Sequence, residues 1–95
     1  MIPELKQRAL HRAKILEGQL RGLQKMIDAE EYCVDIITQS LAIQKSLGSL
    51  NKLLLENHLK THVKAMLRSD DPAKQQAGID ELIKIYELSN NRGSN

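Results

Sequence analysis

The amino-acid sequence predicts an all-α fold: a three-helix protomer with one long central helix, which pairs antiparallel with a second copy. Three observations predict it. Apolar residues recur at steps of three and four along most of the 95 residues, and no alternating, strand-like run appears. Residues 32–67 hold no proline and a single glycine, Gly48. The chain is 41% hydrophobic but lacks Phe and Trp, so single apolar stripes on a small protein need a partner to cover them. The length fits one domain, residues 1–95.

The first helix is expected over about residues 3–28. Pro3 suits a first turn, where its missing N–H costs nothing. Leu5, Ala9, Ala13, Leu16, Leu20, Leu23 and Ile27 follow the helical steps. Gly18 and Gly22, four apart, read as a notch for close approach of another helix; the plain alternative is two tolerated glycines. Ala29-Glu30-Glu31 forms a short link.

The central helix is expected over about residues 32–67, with Ile36, Ile43, Leu47, Leu50, Leu54 and Met66 at helical spacing. Ser69-Asp70-Asp71-Pro72 then breaks and restarts the chain, with Asp71 as N-cap and Pro72 at the first helical position. The third helix is expected over about residues 72–88, with Ile79, Leu82, Ile83 and Tyr86 on its apolar side. Residues 89–95 form a polar tail, expected to fray.

The central helix carries the residues with chemistry. Cys33 is the only cysteine, and His58 and His62 are two of the three histidines. At 100° per residue, both histidines fall within roughly 20° of the azimuth of Cys33. The histidines stand at i, i+4, which puts two imidazoles on one face, as helical metal sites require. Taken singly, each feature has a plain reading: a chance surface pair, and a small buried thiol. Together they are more informative. Cys33 and His58 lie ~37 Å apart along one straight helix, whereas metal–ligand bonds are only ~2.0–2.3 Å. One chain therefore cannot close a site with both ends of the helix. An antiparallel copy brings its own His58 and His62 beside this Cys33, and a two-fold dimer makes two equivalent sites. A thiolate with imidazoles suits Cu(I) or Zn, and imidazole also suits Ni.

Net charge is only +2, but residues 3–28 concentrate bases: Lys6, Arg8, Arg12, Lys14, Arg21 and Lys25 against Glu4, Glu17 and Asp28. Arg8, Arg12, Lys14, Arg21 and Lys25 are candidates for phosphate contact; a solvated helix face is the plain reading. His11 sits among them and reads as solvated or nucleic-acid-facing. Interleaved aromatics are absent, which argues against stacking on single strands. A helix-turn-helix signature, a Gly-rich phosphate loop and a nucleophile–base–acid set are absent too, so no enzyme is expected. A lone cysteine excludes an intrachain disulfide. With no signal peptide or long apolar run, a cytoplasmic protein that does not enter the membrane is expected.

Arg12, Gly18-Gln19, Tyr32-Cys33 and His58-Leu59-x-x-His62, in register over about residues 5–67, resemble the CsoR/RcnR family of metal-sensing repressors. The resemblance implies a helical dimer that assembles to a tetramer. It implies an apo form that binds operator double-stranded DNA through a basic surface and is released by its ligand. The family's metal positions match Cys33, His58 and His62; Tyr32 matches a second-shell tyrosine, and Glu81 is the candidate for the third-helix acid beside it. Arg12 matches an arginine implicated in DNA binding, and a second basic position of some copper sensors falls at Ser49. The N-terminal His of nickel–cobalt sensors is Met1 here, and the second Cys of persulfide sensors is missing. Cu(I) is the expected inducer, ahead of Zn, Ni or Co. The alternatives are a thiol-reactive signal, or a helical interaction protein whose Cys and His only line an interface.

Overall fold

The structure, a computed structural model, describes residues 1–91. Its elements are α1 (Pro3–Asp28), α2 (Cys33–His58), a π-helical turn (Leu59–Val63), α3 (Lys64–Arg68) and α4 (Pro72–Asn91). No strand occurs among the described residues, and the fold is all-α. The expected central helix is present as α2, the π turn and α3, which follow one another without a break. The expected third helix is α4, which continues past Leu88 through Ser89 and Asn90 to Asn91. Extending an existing helix adds one hydrogen bond per residue fixed, so polar residues with no stop signal can prolong it. Of the expected frayed tail, residues 92–95 lie outside the described residues.

The chain packs as two compact units, Met1–Glu56 and the residues from Asn57 onward. In the first unit α1 starts on Ile2 with no side-chain cap; Pro3 removes one N–H that would need a partner, and the first-turn acid Glu4 favours the positive end of the helix. It ends in a Schellman motif. The Glu31 N–H reaches Met26 O at 3.1 Å and the Glu30 N–H reaches Ile27 O at 3.0 Å. That motif requires a left-handed residue, and Glu30 supplies it with φ 51°. The turn sends α2 back along α1. Gln39 Nε2 donates to Gln19 O at 3.3 Å, while Arg8 and Arg12 share a cleft with Ser49 and Lys52, so the two helices run antiparallel. Leu5, Ala9 and Leu16 of α1 and Leu53 of α2 form the buried core. Of the remaining stripe residues Leu23, Ile36, Ile43 and Leu50 are half-buried, while Leu20, Ile27 and Leu47 are exposed in the protomer, as are Ile37 and Leu41. Within the protomer the glycine pair makes no close approach: a Cβ on Gly22 would lie at an ordinary 3.8 Å from Gln39 Nε2, and one on Gly18 would meet nothing within 4 Å.

In the second unit the helical register slips by one at the π turn, where Lys64 N–H reaches back to Leu59 O. The Thr61 hydroxyl donates to Asn57 O at 2.7 Å, which occupies the carbonyl that an α-helical Thr61 N–H would use. Thr38 makes the same bond to Val34 O inside regular α2, so the hydroxyl contributes to the slip without being sufficient for it. Val63 is buried at 2% exposure. Asp71 caps α4 through Oδ1, which accepts from the Ala73 N–H at 3.0 Å, ahead of Pro72. Gly78 is the close-approach glycine of this unit. A Cβ there would lie 3.0 Å from Leu67 Cδ2 and 3.1 Å from Met66 Cβ, so α3 and α4 meet nearly backbone to side chain.

Candidate metal centre

His58 ends α2 and His62 lies inside the π turn. Spacing of four keeps the two imidazoles on one side. Their centroids are 5.4 Å apart and their planes 28° from parallel. The 100° step used for the sequence holds as far as His58 but not beyond, because a π turn closes i→i+5 bonds and is wider. The spacing of four still leaves His62 beside His58 across the start of the turn, as the ring contact shows.

Glu81 reaches this pair from α4. The Nε2–H of His58 donates to Glu81 Oε1 at 2.9 Å, with both side chains about one-third exposed. A carboxylate accepts only, so this bond places the proton of a neutral ring on Nε2 and leaves the Nδ1 lone pair for another partner. Carboxylate–imidazole pairs of this kind orient histidines that bind metals.

Cys33 is the first residue of α2 and its thiol is free and exposed. Tyr32, exposed at 70%, sets the first turn of α2 with its carbonyl, which accepts from Asp35 N–H at 2.9 Å and Ile36 N–H at 3.2 Å. Among the described residues of one chain, no three His, Cys, Asp or Glu side chains are placed to hold a metal ion. Cys33 and His58 stand at opposite ends of one helix. A thiolate with two imidazoles is nonetheless a donor set suited to Cu(I) or Zn, once the sulfur and nitrogens come from different copies.

The basic candidates fall into two groups. Arg8 and Arg12 line a cleft in the first unit together with Ser49, Lys52, Leu53 and Glu56. His11 lies with Gln7, Arg8, Arg12 and Ile15 along a shallow groove of α1. Lys14 and Lys25 are exposed on α1. Arg21 is exposed as well but lies 3.8 Å from Glu17 Oε2 one turn back, which offsets its charge locally. Sequence reasoning missed Lys52. Its charge is visible in the sequence, but only the packing of α2 on α1 brings it to Arg8 and Arg12.

A family description, metal-sensitive transcriptional repressor, matches residues 5–87. The chain belongs to this family. Among its relatives in the family is the copper-sensing transcriptional repressor CsoR of Mycobacterium ulcerans, 39% identical over 88 residues, which cover 93% of this chain and 73% of that one. The copper-sensing repressor CsoR with Cu(I) from Geobacillus thermodenitrificans has a similar structure, with a TM-score of 0.76 and 32% identity over 93% of this chain and 88% of that one. A variant of the formaldehyde-responsive regulator FrmR from Salmonella enterica serovar Typhimurium follows, with a TM-score of 0.72 and 25% identity over 90% and 94%. The family's members are repressors, so the chain is a metal-responsive regulator of transcription that acts on DNA, not an enzyme.

Proposed function

We propose that this repressor senses Cu(I) through Cys33 of one copy and His58 and His62 of another, and that occupancy releases operator DNA. The observation that carries the reading is the His58–His62 pair, stacked at 5.4 Å with the His58 Nε2–H held by Glu81. It leaves imidazole nitrogens available on one face in a chain whose relatives are copper-sensing repressors. Ni and Co rank behind Cu(I) because the soft thiolate favours Cu(I) or Zn, and Zn ranks behind because the relatives of this chain are copper-sensing repressors.

The assembly is an antiparallel dimer, paired again into a tetramer. Exposed Ile37, Leu41 and Leu47 on α2 and Ile79, Ile83 and Tyr86 on α4 support it, since a monomer rarely leaves so much apolar side chain in water. Arg8, Arg12, Lys14, Arg21 and Lys25, multiplied by symmetry, supply the phosphate-binding surface. Tyr32 neighbours the thiol, and Glu81 ties the His58 imidazole to α4, so a change at the ligands reaches a second helix. No described helix is long and apolar enough to cross a membrane. The repressor works in the cytoplasm, on duplex DNA.

Operator duplex selected from a random pool tests the reading, with binding followed by fluorescence anisotropy at fixed salt. Cu(I) should weaken binding of the wild-type protein more than Zn(II) or Ni(II). Linkage then requires that DNA lower metal affinity by the same factor. Cys33→Ala should bind the duplex as before and ignore Cu(I), a permanent repressor. If Cu(I) leaves wild-type operator affinity unchanged, the copper reading fails and a thiol-directed signal takes its place.

A further inference from the structure

His58, His62 and Met66 follow one another at steps of four, from the end of α2 through the π turn into α3. A helical side chain points back toward the N-terminus and lies over the residue three or four before it. His62 obeys this rule, with its ring stacked on that of His58 at 5.4 Å. The same rule carries the Met66 side chain back over His62. Met66 is half-buried, and its Cβ sits against α4, 3.1 Å from where a Cβ on Gly78 would lie. Glu81, one turn further along α4, bonds His58. One stretch of α4 therefore holds both ends of the row His58, His62, Met66. Leucine would fill the place of Met66 at similar volume; what methionine adds is a soft, mobile sulfur.

We propose that the Met66 thioether is a fourth, weak donor to the metal held by Cys33 of one copy and His58 and His62 of another, and that it selects Cu(I) over Zn. The inference rests on the assignment of those three ligands. Thiolate and imidazole serve Cu(I) and Zn alike. A thioether does not, because Zn sites are built from thiolate, imidazole and carboxylate, whereas soft thioether sulfur suits Cu(I). It also has no proton to lose, so it adds affinity without the proton release that a thiolate ligand requires. Discrimination between the two metals then sits one turn beyond the histidines, in a residue that neither imidazole can replace.

The test uses the full chain with selenomethionine at its methionines, Met1, Met26 and Met66, loaded with Cu(I) in the absence of oxygen. X-ray absorption at the selenium edge should show a copper neighbour at bonding distance, and Met66→Leu should abolish it. The leucine variant should keep wild-type helicity, because the exchange conserves volume. In competition titrations Met66→Leu should bind Cu(I) about tenfold more weakly, the low end of what supporting groups at metal sites contribute, while Zn(II) affinity stays at the wild-type value. A selenium spectrum without a copper neighbour overturns the proposal. So does a neighbour that survives in Met66→Leu, which would belong to Met1 or Met26. Copper-edge spectra are recorded beside them. If Cys33→Ala removes sulfur and His62→Ala removes nitrogen from copper while selenium shows no copper, the thioether alone falls. If those two variants leave the copper neighbours unchanged, the three-ligand assignment falls, and the proposal with it.

Discussion

At the residue scale, the central fact is that His58 has one ring nitrogen spoken for. Glu81 Oε1 accepts from Nε2 at 2.9 Å, which fixes both the tautomer and the ring plane before any metal arrives. Loss of a carboxylate in this position typically lowers metal affinity 10–100-fold. Glu81→Ala should therefore bind Cu(I) about 10–100-fold more weakly in a competition titration with a chelator of known affinity. Its helicity should stay near wild type, because the pair is partly open to water. Equal affinity in the variant would make the His58–Glu81 bond a surface ion pair with no part in sensing. The sequence marked Glu81 only through family likeness. Its bond to His58 crosses from the end of α2 to α4, and the length of the intervening chain decides whether they meet.

At the element scale, the helices were the most legible part. Pro3, Asp71 and Pro72 are local signals, and local signals survive folding. The steps of Leu5, Ala9 and Leu16 describe a face that is buried, while Leu20 and Ile27 on the same stripe are exposed in the protomer. The π turn at Leu59–Val63 was not legible, because a slip of one residue over so short a stretch leaves no trace in hydrophobic periodicity. Nor was the tight glycine. Sequence reasoning chose Gly18 and Gly22, yet the tight contact is at Gly78, where a Cβ would crowd Leu67 Cδ2 at 3.0 Å and Met66 Cβ at 3.1 Å. A glycine in a helix is disfavoured by propensity by about 1 kcal/mol, so only packing explains it. Gly78→Val should lose about 1–3 kcal/mol by overpacking, read as a lower midpoint in urea at constant m-value. A midpoint at or above wild type would mean that α3 and α4 are free to separate.

At the scale of the whole molecule, the described residues of one protomer hold neither a closed metal site nor a closed core. Cys33 opens α2 and His58 closes it, and the same helix leaves Ile37, Leu41 and Leu47 exposed. Both features point to a second copy, and the sequence already contained the first of them as a distance. The decisive experiment mixes two inactive variants. Cys33→Ala and His58→Ala should each lose high-affinity Cu(I) binding. After subunit exchange, the mixture should recover sites in the heterodimers, where one interface keeps all three ligands. A mixture that exchanges subunits yet stays inactive would rule out ligands drawn from two chains.

The placement of Cys33 and His58 at opposite ends of α2 also bears on dosage. A detector divided between two molecules obeys mass action twice, once for the metal and once for its own other half. On dilution below the point where copies part, sensitivity would vanish without any change in a ligand. A cell holding few copies would then be deaf to metal even though every copy was intact. Titration at a series of protein concentrations would display this as an apparent metal affinity that falls on dilution. With the proposed two-chain site, the abundance of the repressor would itself set the threshold at which it responds.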